Sequence, residues 1–209
     1  MTGALIPALR AAGIGDERVL EAFRALRRED FVPAGQRARA DDDVPLPIPR
    51  GQVTTQPSLI ARMLEALALR GTGRVLEVGA GHGFQTALLA RLADTVWAVE
   101  RFTDLADAAR ANLGRQRIDN AHVVVADGTN GLPDRAPFDA IVVSAAFPTV
   151  PEPLAEQLAP GGRLVQPIGP GGREDVTLYV REASGLRWAG HVTGAHFVPL
   201  VGEHAFPAG

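Results

Sequence analysis

The sequence contains no cysteine, and this absence narrows its chemistry at once. Disulfide bonds, cysteine-ligated metal sites and cysteine nucleophiles are excluded. The five histidines are scattered without the close spacing of a metal-binding motif, so we expect no metal ion. Lysine is absent too: all 21 basic residues are arginine, which we attribute to genomic base composition rather than to function.

Long apolar runs and an excess of positive charge are also missing. No run reaches membrane-spanning length, and no charged-then-apolar N-terminal signal is present. The net charge of -3 gives no excess of positive charge of the kind that binds nucleic acid. We therefore expect a cytoplasmic monomer without nucleic-acid or membrane partners. A chain of 209 residues with 46% hydrophobic content suits one α/β domain with a sizeable core.

A glycine-rich loop is the most informative feature that is present. Residues 75–83, Val-Leu-Glu-Val-Gly-Ala-Gly-His-Gly, indicate a buried strand running into a loop that opens a helix. Glycines let the backbone turn sharply and approach a ligand closely. Their G-x-G-x-G spacing differs from the G-x-G-x-x-G fingerprint of dinucleotide sites, and no cationic residue nearby suggests a pyrophosphate.

Acidic residues follow the next two predicted strands. Glu100 ends the strand 95–99, where a carboxylate can accept both hydroxyls of an adenosine ribose. Asp127 ends the strand 122–126 and could accept the adenine amino group. The alternative is a glycine turn in some other α/β fold, with both carboxylates merely solvated.

The three elements together resemble class I S-adenosylmethionine-dependent methyltransferases, over roughly residues 74–169. The resemblance implies that S-adenosylmethionine is the cofactor and S-adenosylhomocysteine the product. It assigns cofactor binding to residues of the strand ends and the loop, which are Glu77, Gly79, Gly81, Gly83, Glu100, Asp127 and Gly128.

The order of elements predicts a doubly wound Rossmann-like α/β fold with a seven-stranded, mostly parallel sheet and an N-terminal helical cap. We expect one domain over 1–209, with the cap at 1–70 and the cofactor-binding core at 71–209. Predicted helices are 4–13, 16–28, 58–69, 84–93, 103–114 and 151–158, with 29–57 irregular. Predicted strands are 74–78, 95–99, 122–126, 138–144 and 162–168, followed by an edge hairpin of 176–181 and 188–198.

Segments flanking this core resemble protein-L-isoaspartate (D-aspartate) O-methyltransferases, from about Val19 to Gly202. The segments are 28–33, 45–48, 51–57, 136–141, 161–165 and 197–202. The resemblance implies methylation of the free carboxylate of L-isoaspartyl and D-aspartyl residues in damaged proteins and peptides. The ester then closes to a succinimide, which hydrolyses partly to normal aspartate.

Thr54, Thr55 and Gln56 precede Pro57 at a predicted helix start, where hydroxyls and free N–H groups favour an anion. We expect this loop to hold the methionine carboxylate of the cofactor or the substrate carboxylate, with Thr55 the catalytic contact. A carboxylate is ionised at pH 7, so no strong base is needed. The alternative is that Thr55 only caps the helix.

Val198, Pro199 and Leu200 match the segment that lines the peptide site in the family. Backbone groups beside Pro199 could bind an extended isoaspartyl peptide by strand addition. The alternative is a hydrophobic edge strand ended by Pro199. We interpret the charge run Asp41-Asp-Asp43 as solvated.

The sequence departs from the family pattern at positions that we expect around the substrate entrance. They are Asp41, Pro49, Thr55, His82, Phe84 and His196. Thr55 replaces the usual serine but keeps the hydroxyl; His82 could touch the cofactor or face solvent. A specialised carboxyl methyltransferase acting on one partner, or a non-catalytic binding module, therefore remains open. A nucleobase or amide N-methyltransferase is disfavoured, because Val143–Pro148 lacks the N/D-P-P-Y/F signature.

Overall fold

The computed structural model describes residues 5–207, which form an α/β fold around a seven-stranded sheet. The strands are β1 Leu46–Ile48, β2 Gln52–Thr54, β3 Arg74–Val78, β4 Thr95–Glu100, β5 Ala121–Val125, β6 Phe138–Val143, β7 Leu158–Ile168, β8 Glu174–Glu182 and β9 Gly185–Ala195. The helices are α1 Leu5–Ala11, α2 Glu17–Arg24, α3 Pro57–Leu67, α4 Phe84–Ala90, α5 Thr103–Arg115 and α6 Glu152–Glu156.

The sheet order is β5-β4-β3-β6-β7-β8-β9, which confirms the predicted Rossmann-like arrangement. Strands β3 to β7 pair in parallel, while β8 and β9 join antiparallel and form the predicted edge hairpin. The chain runs outward from β3 through β4 to β5 and then returns to β6 on the other side. The carboxyl end of β3 is therefore a topological switch point, where such sheets bind ligands.

The helical cap and the sheet share one hydrophobic core. Leu9, Phe23 and Leu64 of the first three helices belong to the same buried cluster as Leu88 of α4 and Val142 of β6. Amphipathic helices bury an apolar stripe in this way, and Val19, Leu20 and Phe23 supply the stripe of α2. The cap is thereby packed against the sheet.

The prediction that 29–57 is wholly irregular is wrong. The segment holds the antiparallel hairpin β1–β2 and two short 3-10 turns, Arg28–Phe31 and Ala34–Arg39. Arg50 and Gly51 turn the hairpin with φ values of 63° and 66°. Each strand has only three residues, and prolines surround β1. Such short segments lack the alternating pattern that identifies a strand, so the sequence does not predict them.

Several predicted boundaries also differ. The helix predicted over 16–28 ends at Arg24, and α6 is shorter than 151–158. Strand β7 begins at Leu158 rather than 162, because Leu158 pairs with Phe138 across a register shift. The start of the helix predicted over 4–13 lies outside the described residues. None of the helices within residues 5–207 combines the length and the apolar character that a membrane-spanning helix needs.

Candidate active site

A cavity of about 800 Å³ opens at the carboxyl ends of β3, β4 and β6. Its wall combines the glycine loop, the end of β4, the β1–β2 hairpin, the start of α3 and the segment after β9. Most of the residues predicted to bind cofactor or substrate lie on this wall: Thr54, Thr55, Gln56, Gly79, Gly81, Glu100, Gly128, Val198, Pro199 and Leu200. Glu77, Gly83 and Asp127 are not among the lining residues.

The glycine loop is tied to the end of β4. The Gly79 N–H donates to the Val99 carbonyl at 2.8 Å, and the Gly81 N–H donates to Glu100 Oε2 at 2.9 Å. Gly83 has a φ of 87°, and a Cβ there would lie 3.2 Å from the Ala109 Cβ of α5. Gly83 therefore lets α4 begin close against α5. It is not a lining residue, and its contact with the cofactor stays a prediction.

Glu100 is 6% exposed, and its carboxylate stands on the cavity wall. Besides the Gly81 bond, Glu100 Oε1 accepts the Phe102 N–H at 3.1 Å. Burial raises the pKa of Glu100, and the backbone N–H bonds partly offset that rise. Each carboxylate oxygen keeps a further lone pair, so the group can still accept hydroxyl donors.

Glu77 lies behind the loop, fully buried, and contacts the cavity only through its neighbours. Its carboxylate accepts hydrogen bonds from Gln85 Nε2 at 3.0 Å and from the Thr86 hydroxyl. Burial raises the pKa of Glu77 to about 7. Gln85 Nε2 also donates to Ser144 Oγ at 2.9 Å, and both Gln85 and Ser144 line the cavity. Sequence reasoning missed these two residues.

Asp127 ties the end of the chain to the end of β5. Its Oδ1 accepts the Thr129 N–H at 2.9 Å, and its Oδ2 accepts the Glu203 N–H at 2.7 Å. Burial raises the pKa of Asp127, but these hydrogen bonds outweigh it and lower the pKa overall. The neighbouring Gly128 does line the cavity, and a Cβ there would lie 2.5 Å from Val78 Cγ1. Only glycine fits that position.

Asp43 caps α3, so the interpretation of Thr55 as the cap is wrong. The interpretation of Asp41-Asp-Asp43 as solvated fails at Asp43 but agrees with the exposed Asp41 and Asp42. Asp43 Oδ1 accepts the Ser58 N–H at 2.8 Å, and Oδ2 accepts Gln56 Nε2 at 3.0 Å. Asp43 is therefore half-buried and structural rather than solvated, and Thr55 is not the cap. No hydrogen bond within residues 5–207 uses the Thr55 hydroxyl, and Thr55 lines the cavity. Asp43 lies 15 residues before Ser58 in the chain, so no local sequence pattern indicates that it caps α3.

Arg28 holds the threonine loop from behind. It is 1% exposed, and its guanidinium donates to the carbonyls of Asp42 at 3.0 Å, Val44 at 2.9 Å and Thr55 at 3.2 Å. Burial lowers the pKa of Arg28 to about 10, so the group stays cationic at neutral pH. Sequence reasoning noted the segment 28–33 but not this role, because the bonded carbonyls are 12 to 27 residues away.

The segment after β9 lies along the loop that follows β6. The Ala146 N–H donates to the Val198 carbonyl at 2.8 Å, and the Leu200 N–H donates to the Ala146 carbonyl at 2.7 Å. Strand β9 itself ends at Ala195, so the strand predicted over 188–198 is too long. The interpretation of an edge strand ended by Pro199 is therefore wrong for this segment.

The departures from the family pattern divide into two groups. Thr55, His82, Phe84 and His196 line the cavity. Burial lowers the pKa of half-buried His82, and the exposed His196 ring contacts the Gly172 carbonyl through Nδ1. Asp41 and Pro49 are exposed and not among the lining residues, although Ile48 and Gly51 on either side of Pro49 are; that they border the entrance stays a prediction.

Comparisons with known proteins match a single protein family over nearly the whole chain. The family model "Protein-L-isoaspartate(D-aspartate) O-methyltransferase (PCMT)" matches residues 1–205. A protein-L-isoaspartate O-methyltransferase of Methanoculleus marisnigri is 49% identical, covering 93% of this chain and 88% of the relative. Another, from Anaeromyxobacter dehalogenans, is 50% identical over 94% of each chain.

Solved structures agree in fold. A protein-L-isoaspartate O-methyltransferase structure has a TM-score of 0.87 at 28% identity, covering 98% of this chain and 67% of that one. A Plasmodium falciparum structure, described as a putative member in complex with S-adenosyl-L-homocysteine, has a TM-score of 0.82 at 24% identity, covering 94% and 96%. Together with the cavity wall, these matches show that the chain belongs to the protein-L-isoaspartate(D-aspartate) O-methyltransferase family.

Proposed function

We propose that this chain transfers the methyl group of S-adenosylmethionine to the free carboxylate of L-isoaspartyl and D-aspartyl residues in damaged proteins and peptides. One observation carries the proposal. A single cavity joins the glycine loop and Glu100, which suit an adenosine, to Thr55 and the segment 197–201, which suit a peptide carboxylate; the Thr55 hydroxyl has no hydrogen-bond partner within residues 5–207.

The residues present fit S-adenosylmethionine, which supplies an electrophilic methyl group on a sulfonium. Glu100 is the acceptor for the ribose hydroxyls, since its carboxylate is preorganised by two backbone N–H groups. The loop at Gly79 and Gly81 admits close approach of the cofactor. Gly128 leaves room beside Val78 for the adenine, and Asp127 remains the predicted acceptor for its amino group. Glu77 joins β3 to Gln85 and Thr86 in the first turn of α4, which follows the loop.

The threonine loop is the proposed site for the substrate carboxylate. The Thr55 hydroxyl donates to it, and the Thr54–Gln56 backbone stands at the positive end of α3. The buried charge of Arg28 behind the loop adds to the attraction for an anion. Because the carboxylate is already the nucleophile, the loop needs only to hold an oxygen in line with the methyl group.

The methyl ester then reacts without further help from the chain. The backbone nitrogen that follows the isoaspartyl residue attacks the ester carbonyl, methanol leaves, and a succinimide closes. Water opens the ring to give partly normal aspartate, so methylation initiates repair.

The proposal also covers the range of substrates, the cellular location and the partners of the protein. Thr55, His82 and His196 depart from the family pattern and lie on the cavity wall, which favours a second candidate: a carboxyl methyltransferase dedicated to one peptide or protein partner. We further propose a cytoplasmic monomer with isoaspartyl proteins and peptides as its partners, and without nucleic-acid or membrane partners. Within it, 1–70 form the cap and 71–209 the core.

A labelled-methyl assay tests the function. Several unrelated isoaspartyl peptides and their aspartyl twins are incubated with the protein and S-adenosylmethionine. We expect base-labile methyl esters on every isoaspartyl form and none on the twins. Esters on a single peptide only would favour the dedicated enzyme, and no ester on any isoaspartyl peptide would overturn the proposal.

A further inference from the structure

Glu174 is a buried carboxylate that the proposed mechanism does not use. It is the first residue of β8, is 0% exposed, and does not line the cavity. Its Oε2 accepts the Phe197 N–H at 2.9 Å. Its Oε1 is buried without a hydrogen-bond partner, and no salt bridge involves it within residues 5–207.

This arrangement is costly for folding alone. A carboxylate removed from water needs a cation or several donors to offset its desolvation, and Glu174 has one backbone N–H. An apolar side chain of similar size would fill the same space at lower cost. The bond to Phe197 is therefore the feature that we connect with function, since Phe197 lies within the stretch 193–201 that lines the cavity.

The bonded peptide unit has a second polar group. The His196–Phe197 peptide is trans, so the His196 carbonyl points away from Glu174. His196 lines the cavity, and no hydrogen bond in the described part of the chain uses its carbonyl. A peptide whose N–H donates to a carboxylate is polarised, which makes its carbonyl a stronger acceptor.

The segment that follows is held at two more points. Ala146 bonds both the Val198 carbonyl and the Leu200 N–H, and Asp127 bonds the Glu203 N–H. No hydrogen bond among the described residues uses the Pro199 carbonyl. The segment is thus fixed from one side and offers carbonyls that have no protein donor.

We propose that Glu174 is a positioning residue for the peptide substrate. It fixes the His196–Phe197 peptide so that the His196 carbonyl accepts a backbone N–H of the isoaspartyl peptide. The inference rests on the proposed function, because it takes an isoaspartyl peptide as the occupant of this side of the cavity.

The test compares Glu174→Val with Glu174→Gln, which keeps an acceptor oxygen. We expect Glu174→Val to raise the KM for an isoaspartyl peptide about tenfold, while the Kd for S-adenosylhomocysteine changes less than about twofold. Glu174→Gln should restore a KM close to wild type. Thr177→Val is the matched control, since it removes a buried hydroxyl of β8 that bonds only Asp175.

Hydrogen exchange gives a readout that does not depend on turnover. In the S-adenosylhomocysteine complex, Glu174→Val should expose the Phe197 amide to faster exchange, and Glu174→Gln should protect it. A wild-type KM in Glu174→Val, or an equal rise in Thr177→Val, would overturn the inference.

A second experiment modifies the peptide instead of the protein, so its result does not depend on whether the variants fold. Isoaspartyl peptides with one backbone N–H near the isoaspartyl residue replaced by an ester oxygen are assayed with the wild-type protein. We expect one such replacement to raise KM about tenfold. If none does, the carbonyl is not a substrate acceptor. If the unmodified peptide is not methylated at all, the proposed function fails, whereas the exchange comparison still decides whether Glu174 fixes the segment.

Discussion

Thr55 shows how a distant residue can free a side chain for chemistry. At the start of α3 a threonine would ordinarily cap the helix. Here Asp43 reaches the Ser58 N–H and the Gln56 side chain instead. Thr55 lines the cavity, and its hydroxyl has no hydrogen-bond partner among the described residues, so it is available to a bound substrate.

We predict that Thr55→Val lowers kcat for isoaspartyl peptides about 10- to 100-fold, because a hydrogen bond to a charged carboxylate is lost. The affinity for S-adenosylhomocysteine, measured by calorimetry, should change much less. Thr55→Ser keeps the hydroxyl and should stay within a few fold of wild type. A fully active Thr55→Val protein would show that the hydroxyl takes no part in methyl transfer.

Glu77, in β3, makes the stability of the protein depend on pH. Burial raises its pKa to about 7 from an ordinary 4.5, despite hydrogen bonds from Thr86 and Gln85. The folded state therefore binds this proton more tightly than the unfolded state. The stabilisation is complete below pH 4.5, declines as pH rises, and is lost above about 7.

We predict that the free energy of unfolding of wild type falls, relative to that of Glu77→Gln, by up to about 3 kcal/mol between pH 4.5 and 7.5. Glutamine keeps an acceptor and does not titrate, so its curve isolates this group. Urea unfolding at a series of pH values measures both proteins. Parallel curves would mean that Glu77 does not titrate in this range.

Residues fixed by local pattern were predictable from the sequence, and residues fixed by distant contacts were not. Glu100 follows directly from its place at the end of a buried strand beside a glycine loop. Arg28 and Glu174 carry no such signal, because their bonded partners are 12 or more residues away. The sequence shows that Gly83 belongs to the glycine loop, but only the structure shows that it packs against α5.

At the scale of elements, the β1–β2 hairpin and the threonine loop depend on Arg28. The guanidinium joins carbonyls before the hairpin, at Asp42 and Val44, to that of Thr55 after it. A planar group with five donors can satisfy several carbonyls at once. The hairpin thus closes one side of the cavity without a large apolar core of its own.

We predict that Arg28→Lys destabilises the protein by about 2–4 kcal/mol, because one ammonium cannot reach all the carbonyls and a buried charge is left poorly bonded. Amide exchange over 40–55 should accelerate. Arg24→Lys on the surface of α2 is the control and should change stability by less than about 0.5 kcal/mol. Equal urea midpoints for the two variants would rule out this role for Arg28.

Elements with a clear pattern of buried residues were predicted correctly, and elements without one were not. The run Arg-Val-Leu-Glu-Val predicts β3 with the bounds observed, since it is apolar, buried and ended by glycine. The β1–β2 hairpin escaped prediction, because Pro45, Pro47 and Pro49 suggest irregular chain. Its strands exist through pairing with each other and contact with the rest of the cap, which sequence pattern does not reveal.

At the scale of the whole molecule, cap and core are one packing unit. Leu5, Leu9 and Phe23 are buried in the same cluster as Val75 and Leu88. The proposed division at residue 70 is therefore a division of roles. Separating the two parts would expose apolar surface on both, which disfavours independent folding.

We predict a single cooperative unfolding transition in calorimetry, with equal calorimetric and van't Hoff enthalpies. S-adenosylhomocysteine should raise Tm, because a ligand that binds the folded state alone stabilises it. The fragment 71–209 should not fold by itself. Two separate transitions, with the cap melting first, would contradict a shared core.

The most direct test of the central claim is a crystal structure of the chain with S-adenosylhomocysteine and an isoaspartyl peptide. We predict that the ribose hydroxyls donate to the Glu100 carboxylate and that the peptide carboxylate accepts from the Thr55 hydroxyl, with one oxygen facing the sulfur. The peptide backbone should lie along the segment 196–200. A ribose bound away from Glu100, or a peptide carboxylate that does not contact Thr55, would contradict the account.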